Sequence, residues 1–567
     1  MSPKNLDLNS RLKRLKRLID VASGRKRAEL VLKDAELVNV LTEEIYPADI
    51  AISDNLIAGV GNYSGIKEID CRDFFAVPGL IDGHTHIEMS MLTLTEFARI
   101  VVPRGNTAVI ADPHEIANVL GVDGVKLMID EAKYIPIRFF CMAPSCVPSS
   151  NLETGGAVIT DREIEELLSM EEVIGVAEVM RFSDVVSGNE EFLKKILVSG
   201  KVDGHAPFLS GKALNAYISA GIQTDHESVS FEEAREKLRL GMKIMVREGS
   251  VAKNLKDLIE LVKKGNRNVM LVTDGDRNLN DLIKKGYLDY VYRKAVKEGI
   301  DAIKALQMCT VNPAEHYGLN IGSITPGKFA DIVILSDLEN FKVERVIFNG
   351  KILDGGDFHR RYQYPEKAKN TIKARKISKE DIKLDPKDGK KTRVIKLIEG
   401  ELLTDELIVE KISDSINKIV VLERHKGTNR IGKGFVYGFG IKSGAIASTI
   451  AHDSHNIIAV GDANDDDYIV KAVNRLIELQ GGIVVVNKNG VFELQLEIAG
   501  LMTEKSTDEV MKKLRLIHQQ LEEMGCKLEA PIIALSFLAL PVIPKLKITD
   551  YGLVDVGRQE VVDVFVD

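Results

Sequence analysis

The chain has 567 residues, enough for about two to four domains. Hydrophobic residues make up 45% and charged residues 28%, an ordinary balance for a soluble protein. A net charge of −8 without a long basic tract disfavours nucleic acid as a partner, and no apolar run approaches the ~20 residues of a membrane span.

Residues 1–25 read as a helix. Its Arg11-Leu-Lys-Arg-Leu-Lys-Arg-Leu18 stretch is basic and amphipathic, the pattern of a solvated surface helix. It lacks the apolar core and small-residue site of a signal peptide. The five cysteines, Cys71, Cys141, Cys146, Cys309 and Cys526, are odd in number and scattered. They fit a reducing cytoplasm and argue against a disulfide framework or a cysteine zinc site. Short strand patterns follow over 28–40, 49–52 and 56–60, a small β unit. From there to about Gly318, strand and helix patterns alternate. Eight apolar strands are predicted, over 75–81, 107–111, 138–143, 173–179, 201–204, 222–225, 243–246 and 268–272. Helical periodicity fills the intervals, with cap signals at Thr160 and at Ser230 with Glu233. Eight strands, each followed by a helix, spell a (β/α)8 barrel. A turn and strand within 322–335 and further strands over 343–348 and 351–353 rejoin the N-terminal β unit, which makes the barrel an insertion in a small β-sandwich. Residues rich in Lys, Asp and Pro then form a linker, followed by a third region of α+β pattern. The expected division is 1–75 and 321–364 for the two parts of the small β domain, 76–320 for the barrel, 365–391 for the linker and 392–567 for the C-terminal domain.

Catalytic groups of such barrels sit at the C-terminal strand ends. The first strand ends in His84-Thr-His86, and residues two apart on a strand project to one side. The second runs into Asp112-Pro-His114-Glu115. The fourth carries Glu178, the fifth ends in His205 and the sixth in His226. The seventh ends in Arg247-Glu248 and the eighth in Asp274, within Thr273-Asp-Gly-Asp276. Neutral imidazoles with carboxylates suit Mn, Fe or Zn. A pair of divalent ions needs a bridging carboxylate, and Glu178 is placed to supply it. Asp274 can bind metal and move the proton of the nucleophilic water. Each residue alone has a structural alternative, as a satisfied buried histidine, half of an ion pair or a helix cap. Together, at one end of one barrel, they favour the metal reading. His114 and Glu115 bind either substrate or an extra metal. Glu248 either contacts substrate or pairs with Arg247. His316 reads as a helix-end residue. His452-Asp-Ser-His455 is either a loop over the barrel mouth or a turn.

The Pro-Gly-Leu-Ile-Asp-Gly-His-Thr-His strand, His205, His226, Asp274 and the closing Asn-Pro-Ala and Gly-Lys-Phe-Ala-Asp-Ile-Val runs resemble the amidohydrolase superfamily. Within it the chain resembles the bacterial and archaeal adenine deaminase family. The closer signs are Ala111-Asp-Pro-His-Glu-Ile-Ala-Asn-Val, Gly204-His-Ala-Pro, Thr224-Asp-His-Glu, Val246-Arg-Glu-Gly-Ser and Ala451-His-Asp-Ser-His-Asn. The resemblance covers nearly the whole chain. It implies that His84 and His86 bind the more buried ion and that His205 and His226 bind the outer one. Glu178 would bridge them, and Asp274 would contact metal and shuttle the proton. The Thr-Asp-Gly-Asp run departs from the Thr-Asp-Asp of some relatives and leaves the role of Asp276 open. The implied cofactor is two divalent ions, manganese first, with Fe2+ or Zn2+ as alternatives. The implied reaction is hydrolysis of adenine to hypoxanthine and ammonia through a metal-bridging hydroxide, a step of purine salvage. Ring protonation would fall to Glu248 or Glu115, and His114, Glu115, Glu248, His452 and His455 are the candidate substrate contacts. A cytoplasmic homo-oligomer is expected. The competing readings are another metal hydrolase opening a cyclic amide, and a non-catalytic scaffold on the same fold.

Overall fold

The computed structural model describes residues 7–265, 267–359, 362–385, 389–398 and 401–567. The first helix runs over Leu8–Ala22, capped by the Asp7 carboxylate, which accepts from the Asn9 and Ser10 amides. Residues 1–6 of the expected helix lie outside the described residues. Leu18 and Val21 pack onto a sheet whose strand order is Lys351–Ile352, Lys342–Phe348, Ile332–Asp337, Phe75–Pro78, Ala28–Asn39, Glu44–Ser53 and Leu56–Gly61. Gly65–Asp70 pairs with the first half of the long Ala28–Asn39 strand, and Phe75–Pro78 pairs with its second half. Segments from both sides of the central region therefore share one sheet, with Ile332 opposite Pro78 and Ile334 opposite Ala76.

This pairing corrects the predicted strand over 75–81. Phe75–Pro78 belongs to the outer sheet, and a separate strand, Leu80–Thr85, opens the central parallel array. The break falls at Gly79, where a Cβ would collide with the Thr107 side chain. An apolar run cannot reveal such a break, because both halves are buried.

The central array has two parallel runs. Leu80–Thr85, Asn106–Ala111, Arg138–Ala143, Val173–Val179 and Val202–Gly204 form the first, and Thr224–Asp225, Lys243–Arg247 and Val269–Val272 the second. The Gln223 amide donates to the Val202 carbonyl at 2.9 Å and the Asp274 amide to the His84 carbonyl at 3.1 Å, so each run adjoins the other at both edges. Ile81, Ala108, Ile110, Met142, Ala177, Met245, Met270 and Val272 pack into one cluster, the filling of a curled, TIM-like sheet. The opposite strand faces are covered by helices such as Val122–Ala132 and Leu288–Lys297.

The third region is built on a sheet that runs from Thr404–Val409 through Lys391–Leu397, Ile431–Tyr437, Ile416–Leu422, Ile457–Asp462, Ala445–Ser448 and Gly482–Asn487 to Gly490–Gln495. The stretch read as a linker is packed: Ile372, Ile377 and Ile382 are buried against Ile469, Val473 and Leu476 of the helix Asp466–Leu479. Lys367, Lys373, Lys376, Lys379, Lys383 and Asp385 face outward, which is why its composition suggested a linker. The third region docks directly on the central array. Thr154 donates through its amide and its hydroxyl to Asp550 at 2.9 and 2.7 Å, and the Thr503 amide donates to the Met91 carbonyl at 3.0 Å.

Candidate active site

Strand alternation delivers the site. His84 and His86 leave the end of Leu80–Thr85 together, and their Nε2 atoms lie 3.3 and 3.4 Å from Asp274 Oδ1. Glu178, at the end of Val173–Val179, spans the centre. Its Oε1 is 3.5 Å from His86 Nε2 and 3.9 Å from His84 Nε2, and its Oε2 is 2.7 Å from His205 Nδ1 and 3.2 Å from His226 Nε2. His205 Nδ1 and His226 Nε2 are 3.3 Å apart. The six residues singled out from strand ends thus converge, and all but the partly covered His205 and Asp274 are buried.

The supports are equally specific. Asp82 accepts from the Thr273 hydroxyl at 2.5 Å and from the His84 amide at 3.3 Å, tying the first strand to the last. Ser145 donates to the Glu178 carbonyl at 2.8 Å. His86 Nδ1 meets the Asp112 carbonyl at 2.9 Å, which leaves Nε2 free for the centre.

The electrostatics are those of a cation site. Burial opposes ionisation of Glu178, yet His226 and His205 hold its carboxyl well below the usual range. Burial likewise opposes Asp274, which Arg247 and His226 hold well below the usual range. Burial would lower His86 and His226, but Asp274 and Glu178 push the two imidazoles up to about 10 and about 9. The field that draws protons onto these rings would equally favour a cation. His84 Nε2, His114 Nδ1 and both carboxylate oxygens of Asp112 are buried without a hydrogen-bond partner, a donor set that fits a divalent metal.

His114 Nδ1 lies 3.1 Å from Asp112 and 3.7 Å from Glu178, beside the ligand cluster. Glu115 faces the third region, where its carboxylate meets His452 Nδ1 at 2.7 Å and His455 Nε2 more closely still. The His452–His455 loop therefore reaches over the mouth. Leu402, Phe537, Leu540 and Ile543 of the third region line the same cavity with His86, Glu178 and Asp274. A larger cleft of about 580 Å³ continues from Met89, Asp276 and Leu402 between the two regions.

Glu248 is not brought to the cavity. It ion-pairs with Lys294 on the helix Leu288–Lys297, not with Arg247. Arg247 and Glu248 are consecutive on an extended chain and so face opposite ways. Arg247 takes the inward position, bonding Asp274 Oδ2 at 2.6 Å and gripping both oxygens of Glu227 at 2.5 and 2.9 Å. Glu227 in turn lies 3.4 Å from His226 Nε2. Sequence reading missed Glu227, although it follows His226 directly, and treated Arg247 only as a partner for Glu248. Asp276 lines the cavity and accepts from the Val251 and Ala252 amides at 2.8 and 2.6 Å, so it anchors the loop after the seventh strand. His316 sits in the last turn of the helix Val311–Tyr317, 3.7 Å from Asp203 and away from the cavity.

A curled parallel sheet that delivers four histidines and two carboxylates to one end defines a metal-dependent hydrolase of the amidohydrolase type. Residues 75–353 match the amidohydrolase family, and residues 396–560 match the adenine deaminase C-terminal domain. The chain is 55% identical to the adenine deaminase of Archaeoglobus fulgidus over 98% of its own length and 99% of that protein's. It is 42% identical to adenine deaminase 2 of Carboxydothermus hydrogenoformans, over 98% of this chain and 100% of that one. It is also 42% identical to the adenine deaminase of Kosmotoga olearia, over 97% and 98% of the two chains. The chain belongs to the adenine deaminase family.

Proposed function

We propose that this protein hydrolyses adenine to hypoxanthine and ammonia at a centre of two divalent ions, the activity its full-length relatives are named for. The observation that carries the reading is the convergence of His84, His86, Glu178, His205, His226 and Asp274, all but His84 lining one covered cavity. His84 and His86 would hold one ion and His205 and His226 the other. The two Glu178 oxygens, each turned toward one histidine pair, support a bridging role. The donor set accepts Mn2+, Fe2+ or Zn2+, and we take manganese as the working ion. Bound there, the ions supply a water acidified enough to act as a hydroxide at neutral pH.

The chain's own groups do the rest. Arg247 holds Asp274 Oδ2 while Oδ1 faces His84 and His86, so one oxygen is fixed and the other is turned to the place where it would take the proton of the attacking water. That proton then passes to the departing amine. Leu402, Phe537 and Leu540 exclude bulk water from the ring. In the same reading the two parallel runs close as one (β/α)8 barrel, inserted in the small β domain and covered by a separate C-terminal domain from about residue 392.

The test is a spectrophotometric assay of adenine loss by protein stripped of metal and refilled with Mn2+. Hypoxanthine should form, and D274N should lose about 10³-fold of the turnover. Full metal occupancy without adenine turnover would move the substrate to a cyclic amide. No bound metal and no turnover would leave a scaffold.

A further inference from the structure

Adenine hydrolysis needs an acid as well as a base. When water adds to C6, the C6–N1 electron pair moves onto N1, which must gain a proton as the O–C6 bond forms. Asp274 is engaged with the water, and Glu248 faces Lys294. We propose that His452, contributed by the third region and positioned by Glu115, is the catalytic acid that protonates the ring nitrogen. This rests on the adenine reading above and adds a residue to it.

The geometry is that of a carboxylate–imidazole dyad. His452 Nδ1 lies 2.7 Å from Glu115 Oε1 in an ion-pair contact, which orients the ring. The other ring nitrogen, Nε2, is buried and has no protein partner. The ring lines the cavity with Glu178, Asp274 and Arg247, and lies 4.6 Å from the Phe537 ring, centroid to centroid. Glu115, His452 and His455 also have the spacing of a cation site, but the tautomer speaks against one. His455 Nδ1 accepts the Ala451 amide at 3.2 Å, so the neutral ring carries its proton on Nε2 and has no lone pair there for a metal. Burial lowers His455 to about 4 and keeps it neutral. The trio is thus a carboxylate held between two imidazoles, hydrogen-bonded to His455 and ion-paired with His452. The charged and titratable groups facing His452 are Glu115, Asp453, His114 and His455. Burial would lower His452, but Glu115 outweighs it and raises the ring above its ordinary value.

The proton count closes. The His452 imidazolium gives its Nε2 proton to N1 as the O–C6 bond forms. Asp274 carries one proton of water to the exocyclic nitrogen, and the C6–N bond breaks to release ammonia. The remaining hydroxyl proton on C6 leaves as the C6 carbonyl forms and returns to His452. Both hydrogens of water are then accounted for, one on ammonia and one on N1 of hypoxanthine.

The experiment compares H452Q and E115Q with the Mn2+-refilled wild type, with metal content and thermal unfolding recorded for each. H452Q should keep its metal and lose about 10²-fold or more of kcat, while KM changes less than about threefold. The wild-type fall of kcat/KM at alkaline pH, where the acid loses its proton, should vanish in H452Q. In E115Q the fall should begin at lower pH, because the carboxylate that raises His452 is gone; this variant carries the test if H452Q does not fold. Added imidazole should restore part of the turnover of H452A. Wild type active on adenine with H452Q within threefold of it, or an unmoved alkaline limb in both variants, overturns the dyad and leaves the deamination standing. Wild type inactive on adenine overturns the reading of the reaction itself.

Discussion

Asp274 adopts φ 57° and Gly275 φ 66°, two left-handed residues in succession at the end of the last central strand. An aspartate tolerates that region better than most residues, and the turn aims its carboxylate back at His84 and His86. Gly275 has no such latitude, because a Cβ there would lie 2.6 Å from the backbone N and O of His86. We expect G275A to displace His86 and to lose about 10²-fold of the turnover, the scale of an ångström-level misplacement. A fully active G275A would show that the turn does not set the ligand geometry. Glu248 gives the opposite expectation: E248Q should keep turnover within about threefold of wild type, since its side chain points to Lys294. At this scale the sequence was readable where the chemistry is local. His-x-His on a strand states its own geometry, and Glu178 and Asp274 stood out at strand ends. Arg247 and Glu227 were not readable as a unit, because they meet only through the fold. Glu248 was misplaced by one step of strand alternation, which a strand-end boundary read from sequence cannot fix.

The strands that carry His205 and His226 are short, Val202–Gly204 and Thr224–Asp225, and hold few ladder bonds of their own. A buried strut compensates. Lys237, on the helix Phe231–Arg239, is fully enclosed and donates to Asp225 at 2.9 Å, Glu233 at 2.8 Å and the Ala206 carbonyl at 2.7 Å. Asp225 also accepts the Ala206 and Ser228 amides, each at 3.0 Å. One ion pair therefore pins the residues next to both histidines. K237M should destabilise the protein by about 3–5 kcal/mol in denaturant unfolding, because it leaves Asp225 buried and unpaired. A change below about 1 kcal/mol would assign the support to the backbone alone. Most of the central strands were legible because they are apolar runs between helical periods; Val202–Gly204 and Thr224–Asp225 are short and polar and were placed by the alternation around them. The division at Gly79 was not, because one continuous apolar stretch serves two sheets.

Across the whole molecule the third region acts as a roof. Its His455 meets Glu115 across 340 residues of sequence, a contact that no local pattern announces, so the His452-Asp-Ser-His455 stretch read equally well as a turn. Lys547 joins two segments of this roof. It is fully buried and donates to the carbonyls of Leu402 at 2.9 Å and Phe537 at 3.0 Å, both residues of the cavity wall. Burial lowers its amine from 10.5 to about 7. Between those two values the unfolded chain binds a proton that the folded chain does not, so stability contributed by this group rises with pH over that window. The unfolding free energy of wild type should therefore rise relative to K547M from pH 7 to 10. Parallel curves for the two proteins would mean that Lys547 stays charged in the fold.

A metal titration decides whether two divalent ions together turn over adenine at this site. Metal-free protein would be titrated with Mn2+ while hypoxanthine formation is followed. Turnover should climb to a break at about two equivalents of metal per chain, as a carboxylate-bridged pair requires. A break at one equivalent, or full turnover without added metal, would rule out a two-ion centre.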